Sequence, residues 1–119
     1  MPRTVVLGTA RTPFGKLGGS LAAMPAPKLG IAAAGGALAR SGVDAADVGY
    51  VIMGQVLQAG AGQIPSRQVS VGIGLGPAVG SETVNKVCAS GMRAATLADV
   101  LIRAGEHVLD RWRGRKSVV

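Results

Sequence analysis

The one residue type in this chain with obvious covalent chemistry is its single cysteine, Cys88, which stands in the run Asn85-Lys86-Val87-Cys88-Ala89-Ser90-Gly91-Met92. The residues before it read as a strand and those after it as a helix, so the thiol falls where one turns into the other. Free N–H groups and the positive end of the dipole at a helix start favour a thiolate. Ala89, Ser90 and Gly91 are small and leave room for an acyl group. A thiolate so placed can attack a thioester carbonyl and form an acyl-enzyme. The other reading of the same residues is a buried cysteine with a packing role. Around it, Lys86 and Arg93 read as solvated or structural charges, and Asn85 and Ser90 as local hydrogen-bonding groups at the turn. Arg67 and Gln68 read as residues that pack or bond near their own loop. The lone histidine, His107, falls at the far end of the helix that Cys88 opens, too far along the axis at about 1.5 Å per residue for a Cys–His pair.

The elements that must position Cys88 follow from composition and pattern. The chain has 119 residues, 48% hydrophobic but only 3% aromatic, with 19 glycines. That suits helices packed closely on a sheet, an α/β class, better than an all-β sandwich. Val5-Val6-Leu7 reads as a buried strand ending in the turn Thr12-Pro13-Phe14-Gly15. Residues 28–40 read as a helix with Pro27 at its start and Gly42 as its stop; Leu29, Ala32, Ala33 and Ala37 would form its apolar face. Gly30, Gly35 and Gly36 weaken it and imply a close neighbour. Asp44 and Asp47 lie in a connector. Tyr50-Val51-Ile52-Met53 reads as a second strand, 54–63 as a Gly/Gln-rich loop, and Pro65-Ser66-Arg67-Gln68 as the opening of a short helix. Glu82-Thr83-Val84-Asn85 makes a third strand and 89–103 the longest helix. The order β-α-β-α-β-α implies a parallel sheet with crossover helices. On the last helix, Arg93, Thr96, Asp99 and Arg103 form one polar stripe and nearly all else is apolar or small. That helix is expected to be buried on most sides, between two layers of which this chain supplies one.

Several function classes are excluded or weakened. One cysteine rules out an internal disulfide and one histidine a multi-His metal site. The net charge of +7 invites a nucleic-acid reading, but Arg111, Arg113, Arg115 and Lys116 crowd the end and Trp112 is the only aromatic there, so no nucleic-acid partner is expected. The apolar stretch 69–79 is broken by glycines and Pro77 and is too short to span a bilayer. Met1-Pro2-Arg3-Thr4 leads into a short apolar run that does not read as a signal peptide, and a cytoplasmic protein without a membrane partner is expected. Gly72, Gly74 and Gly76 lack the last glycine of a dinucleotide fingerprint, and Gly15-Lys16 lacks the remaining P-loop residues.

Four segments, in order, resemble thiolases of the acetyl-CoA acetyltransferase type. They are Thr9-Ala10-Arg11-Thr12-Pro13-Phe14-Gly15, Val51-Ile52-Met53-Gly54-Gln55-Val56-Leu57, residues 59–68, and Val84-Asn85-Lys86-Val87-Cys88-Ala89-Ser90-Gly91-Met92-Arg93. The resemblance covers residues 4 to 107. It implies a thiolase-like layered αβαβα fold, of which this chain holds an incomplete N-terminal half with a mostly parallel sheet. It implies Cys88 as the acylated residue, acetyl-CoA and acetoacetyl-CoA as substrates, no cofactor beyond coenzyme A carried as the thioester, and a homo-oligomer for the full-length family. A ketosynthase-like condensing enzyme would share fold and nucleophile, but the context of Cys88 favours thiolase. The family draws its bases from a Gly-His-Pro motif, an Asn-Glu segment and a second cysteine in its C-terminal half, and none is present in this sequence. Residues 1–107 thus read as a partial thiolase N-terminal domain and 108–119 as an atypical basic tail. Asp110-Arg111-Trp112-Arg113 can be encoded so that a one-base shift reads Thr-Gly-Gly, which suggests a frameshift near Val108. On this reading the chain is a truncated thiolase, inactive alone, or a non-catalytic remnant or interaction fragment.

Overall fold

The structure is a computed structural model that describes residues 3–106 and, as backbone, the strand 116–118. Its elements are α1 (Ala26–Ser41), a 3-10 turn (Ala45–Asp47), β1 (Val48–Gly54), α2 (Pro65–Gly72), β2 (Gly80–Val84), α3 (Ser90–Ala104) and β3 (Lys116–Val118). The three strands form a parallel sheet in the order β2-β1-β3, so the expected α/β class with a parallel sheet is present.

The central strand explains the rest. Val48-Gly49-Tyr50-Val51-Ile52-Met53 is a continuous apolar run, as a strand covered on both faces requires, and Val51 and Ile52 are fully buried. On one face Val48, Val51 and Leu75 pack with Leu38, Ile73 and Met53; on the other Ile52, Ala94 and Ala98 pack with Tyr50, Leu97 and Leu101. Helices α1 and α2 thus cover one face and α3 the other. The register shift between Val48 and Tyr50 accounts for Val48 and Val51 sharing a face although three positions apart.

Helix α1 starts with a proline in its first turn and stops at Gly42, which is left-handed with φ 66°, as its sequence dictates. Its buried face differs from the expected one. Pro27 and Ala34 are buried and Leu38 reaches the core, while Ala32 is exposed. Alanine and glycine on every side leave periodicity little to discriminate. The expectation of close packing holds at Gly30, where a Cβ would lie 2.7 Å from Val69 Cγ2 on α2, and less tightly at Gly36, 3.2 Å from Ala10 Cβ. Gly72 of α2 returns the arrangement, facing the Ile31 side chain. The Asp44 carboxylate accepts from the Ala46 N–H at 3.0 Å and caps the 3-10 turn.

Two further expectations are corrected. Val5-Val6-Leu7 is not a strand: the segment has no regular structure and these residues are 57%, 80% and 45% exposed. A strand needs a partner ladder, and β1 is paired on one edge by β2 and on the other by β3. Helix α3 is not buried on most sides among the described residues. Ser90, Ala94 and Ala98 are buried, but Met92 and Val100 are 74% and 52% exposed beside the polar stripe. One layer covers it, and its remaining apolar surface faces outward. His107 and the segment 107–115 lie outside the described residues, and Lys116–Val118, within the segment read from sequence as an atypical basic tail, pairs with β1 as β3.

Candidate active site

Parallel strands deliver their chain ends to one rim of the sheet, and here β1 and β2 run in register from Tyr50 beside Gly80 to Gly54 beside Val84. Four residues after β2 ends the chain reaches Cys88, and two residues later α3 begins. The thiol is exposed. The expected strand-to-helix turn is therefore present, and the alternative of a buried packing cysteine does not hold for this conformation.

The turn is built by side chains close to it. The Asn85 carboxamide oxygen accepts from the Val87 N–H at 2.9 Å, and its nitrogen donates to the Val56 carbonyl at 3.0 Å. The Ser90 hydroxyl donates to the Val87 carbonyl at 2.6 Å and accepts from the Lys86 N–H at 2.8 Å. Backbone bonds from Ala89 to Lys86 and from Ser90 to Val87 close the same loop. Val87, immediately before the thiol, is left-handed with φ 49°, an outlier for a β-branched residue. Asn85 and Ser90 serve as the local hydrogen-bonding groups expected of them.

Gly54 sets how closely the helix start approaches the sheet. A Cβ there would run into the backbone carbon of Ser90 and lie 2.5 Å from Gly91 N and 2.6 Å from Ser90 O. Sequence reasoning passed over this residue, although a glycine closing an apolar strand is a signal of close backbone approach. It also passed over the Val56–Asn85 bond, which ties the loop after β1 to the turn.

The other residues considered lie elsewhere. Arg67 donates to the carbonyls of Val79 at 2.6 Å and Pro77 at 3.1 Å, fixing the turn that leads into β2. Gln68 donates to Ala61 and Gln63 in its own loop. The Ser66 and Thr83 hydroxyls bond at 3.0 Å between α2 and β2. Lys86 and Arg93 are exposed. A cavity of about 570 Å³ lies between the start of α1, α2 and the loop after β1, lined by Pro27, Lys28, Ile31, Leu57 and Val71 among others, and Cys88 is not part of its wall. Among the described residues there is no group of three or more His, Cys, Asp or Glu able to hold a metal, and no helix long and apolar enough to cross a membrane.

Two titratable groups on α3 and β1, away from the thiol, are shifted by their surroundings. The Asp99 carboxyl is held below its ordinary value of 3.8 by hydrogen bonds from the Thr4 side chain and then Arg103, which pairs with it at 3.0 Å. Tyr50 is pushed above its ordinary 10.0, first by burial and then by the negative charges of Glu82 and Glu106.

This chain is similar to known proteins. A probable acetyl-CoA acetyltransferase of Mycobacterium tuberculosis is 54% identical over 118 residues, 99% of this chain and 30% of its own length. The acetyl-CoA acetyltransferase of Cupriavidus necator is 50% identical over 106 residues, 89% of this chain and 27% of its own. A solved acetyl-CoA acetyltransferase from Syntrophomonas wolfei superposes with a TM-score of 0.84 at 41% identity, over 87% of this chain and 26% of that one. The chain therefore spans less than a third of the length of each of these relatives. The family profile described as "Thiolase, N-terminal domain" matches residues 4–109, from the segment before α1 to beyond the end of α3. The match covers β1, β2, the turn with the lone thiol and α3, and the chain belongs to the thiolase family through that N-terminal domain.

Proposed function

We propose that Cys88 is the residue acylated in a thiolase-type transfer of an acetyl group between coenzyme A thioesters. The Cys88 sulfur attacks the carbonyl carbon of acetyl-CoA, the new C–S bond forms, the bond to the coenzyme A sulfur breaks, and that thiolate leaves and takes up a proton. A second acetyl-CoA, deprotonated at its methyl group, then attacks the acyl-cysteine and releases Cys88 with acetoacetyl-CoA; the reverse sequence cleaves acetoacetyl-CoA. The observation that carries this reading is the exposed, sole thiol at the strand-to-helix turn of a thiolase N-terminal domain.

What this chain contributes is the nucleophile and the turn that holds it. Deprotonating the methyl group of the second acetyl-CoA needs a base, which the thiolase resemblance draws from a Gly-His-Pro motif, an Asn-Glu segment and a second cysteine not present in this sequence; acylation of Cys88 by thioester exchange does not require them. We therefore assign no turnover to the 119-residue chain alone. Incubation with acetoacetyl-CoA and coenzyme A tests this: no acetyl-CoA above background is expected, and turnover abolished by Cys88→Ser would contradict it.

A second reading is favoured by one observation, the outward apolar residues Val87, Met92 and Val100 at the turn and on α3. On it the chain is an interaction fragment that pairs with a full-length acetyl-CoA acetyltransferase subunit. Co-expression with such a subunit, followed by affinity purification through a tag on this chain, supports it if the subunit co-purifies in fixed ratio. Recovery of the chain alone rejects it.

A further inference from the structure

The strained residue of the turn is Val87, and the bonds that hold it come largely from one side chain. Ser90 is only 4% exposed, and its hydroxyl proton is committed to the Val87 carbonyl at 2.6 Å. The same oxygen accepts from the Lys86 N–H at 2.8 Å. The backbone N–H of Ser90 reaches the Val87 carbonyl as well, at 3.1 Å. One buried hydroxyl thus closes the five-residue stretch 86–90, and Cys88 sits inside the closure. Asn85 fixes the opposite side of Val87 and anchors it to Val56. Gly54 lets the backbone of Ser90 rest directly on the end of β1, so the hydroxyl is referenced to the sheet rather than to solvent.

We infer that Ser90 is a positioning residue for Cys88, with Asn85 as its second support. Acting through Lys86 and Val87, it holds the left-handed turn that keeps the thiol at the start of α3. Its proton faces Val87, so it acts through the backbone and not as a base. The inference rests on the reading of Cys88 as nucleophile, but its test is separable from it.

Cys88 is the sole cysteine, so every thiol adduct on the 119-residue chain reports on this position. The measurement is the iodoacetamide alkylation rate near neutral pH, followed by intact mass, for the parent, Ser90→Ala, Ser90→Thr and Asn85→Ala. Circular dichroism monitors the fold, and an unstructured peptide with the same cysteine sets the reference rate. The parent is expected to react faster than the peptide. Ser90→Ala slows alkylation about tenfold, the scale of one lost buried hydrogen bond, and Ser90→Thr, which keeps the hydroxyl, restores the parent rate. Asn85→Ala slows it in the same direction by a smaller factor and decides the matter if Ser90→Ala does not fold. A folded Ser90→Ala at the parent rate overturns the inference, as does a Ser90→Thr as slow as Ser90→Ala, or a parent no faster than the peptide. Exposure to acetyl-CoA separates the two claims. No acetyl on the parent, with the alkylation pattern intact, removes the nucleophile reading and leaves the positioning role. Equal acetylation of parent and Ser90→Ala, with equal alkylation, does the reverse.

Discussion

Replacing Gly54 by alanine is the sharpest test of how the sheet places the thiol. The new methyl would meet the backbone of Ser90 and Gly91, with Gly91 N at 2.5 Å and Ser90 O at 2.6 Å. Ordinary contact begins near 3.4 Å, so the start of α3 must retreat by about an ångström. The opposing atoms are backbone and have no rotamer to change. Overpacking costs about 1–3 kcal/mol, and the rigid setting puts this site at the upper end, about 3 kcal/mol. A domain of this size has about 5–15 kcal/mol in total. At about 4 °C per kcal/mol the midpoint of thermal unfolding falls by about 12 °C. Retreat of α3 also strains the Ser90 bonds to Lys86 and Val87, so Cys88 alkylation changes with the midpoint. Thermal circular dichroism and alkylation kinetics on the same samples read both. A variant whose midpoint lies within about 2 °C of the parent's, with unchanged alkylation, would refute the argument that Gly54 sets the approach of α3 to β1.

Further outcomes follow from the same geometry. Val87→Gly removes the steric penalty of a β-branched residue at φ 49°, about 1–2 kcal/mol, against about 1 kcal/mol of added chain entropy. Stability by urea titration is therefore expected to change by less than about 1 kcal/mol, while Cys88 alkylation slows because a glycine holds the turn less firmly. A loss above about 2 kcal/mol would contradict this. Asp99, held low by Thr4 and Arg103, favours the folded state in its ionised form. That contribution is present above the unfolded-state value and is lost as pH falls through the lower folded-state value. Asp99→Asn is expected to flatten the acid limb of a stability–pH profile below about pH 4, and an unchanged limb would show that the ion pair is not coupled to folding.

Much of the site was legible because it is local. The strand-to-helix change around Cys88 follows from Glu82-Thr83-Val84 giving way to a run of small residues, and Asn85 and Ser90 are side chains that bond to nearby backbone wherever they occur. Helix α1 announces itself through Pro27 and Gly42. What was not legible depends on distant partners. Val5-Val6-Leu7 has strand composition but no ladder among the described residues, while Lys116–Val118, too short and polar to read as a strand, pairs with β1. The face of α1 was misassigned because its small residues fit either way, and only the burial of Ala34 and the packing of Leu38 against the core decide it. The left-handed backbones of Ile64 and Val87 have no sequence signature at all, because glycine or asparagine would be expected there.

The central claim concerns one sulfur atom and one acyl group. The most direct measurement is a single-turnover incubation of the chain with acetyl-CoA carrying an isotopic label in the acetyl group, quenched and analysed by intact mass and peptide mapping. The account predicts one labelled acetyl per chain, on the peptide containing Cys88, removable by hydroxylamine and absent from Cys88→Ser. Label on any other residue, or none on Cys88 in a chain that is folded by circular dichroism, would contradict it.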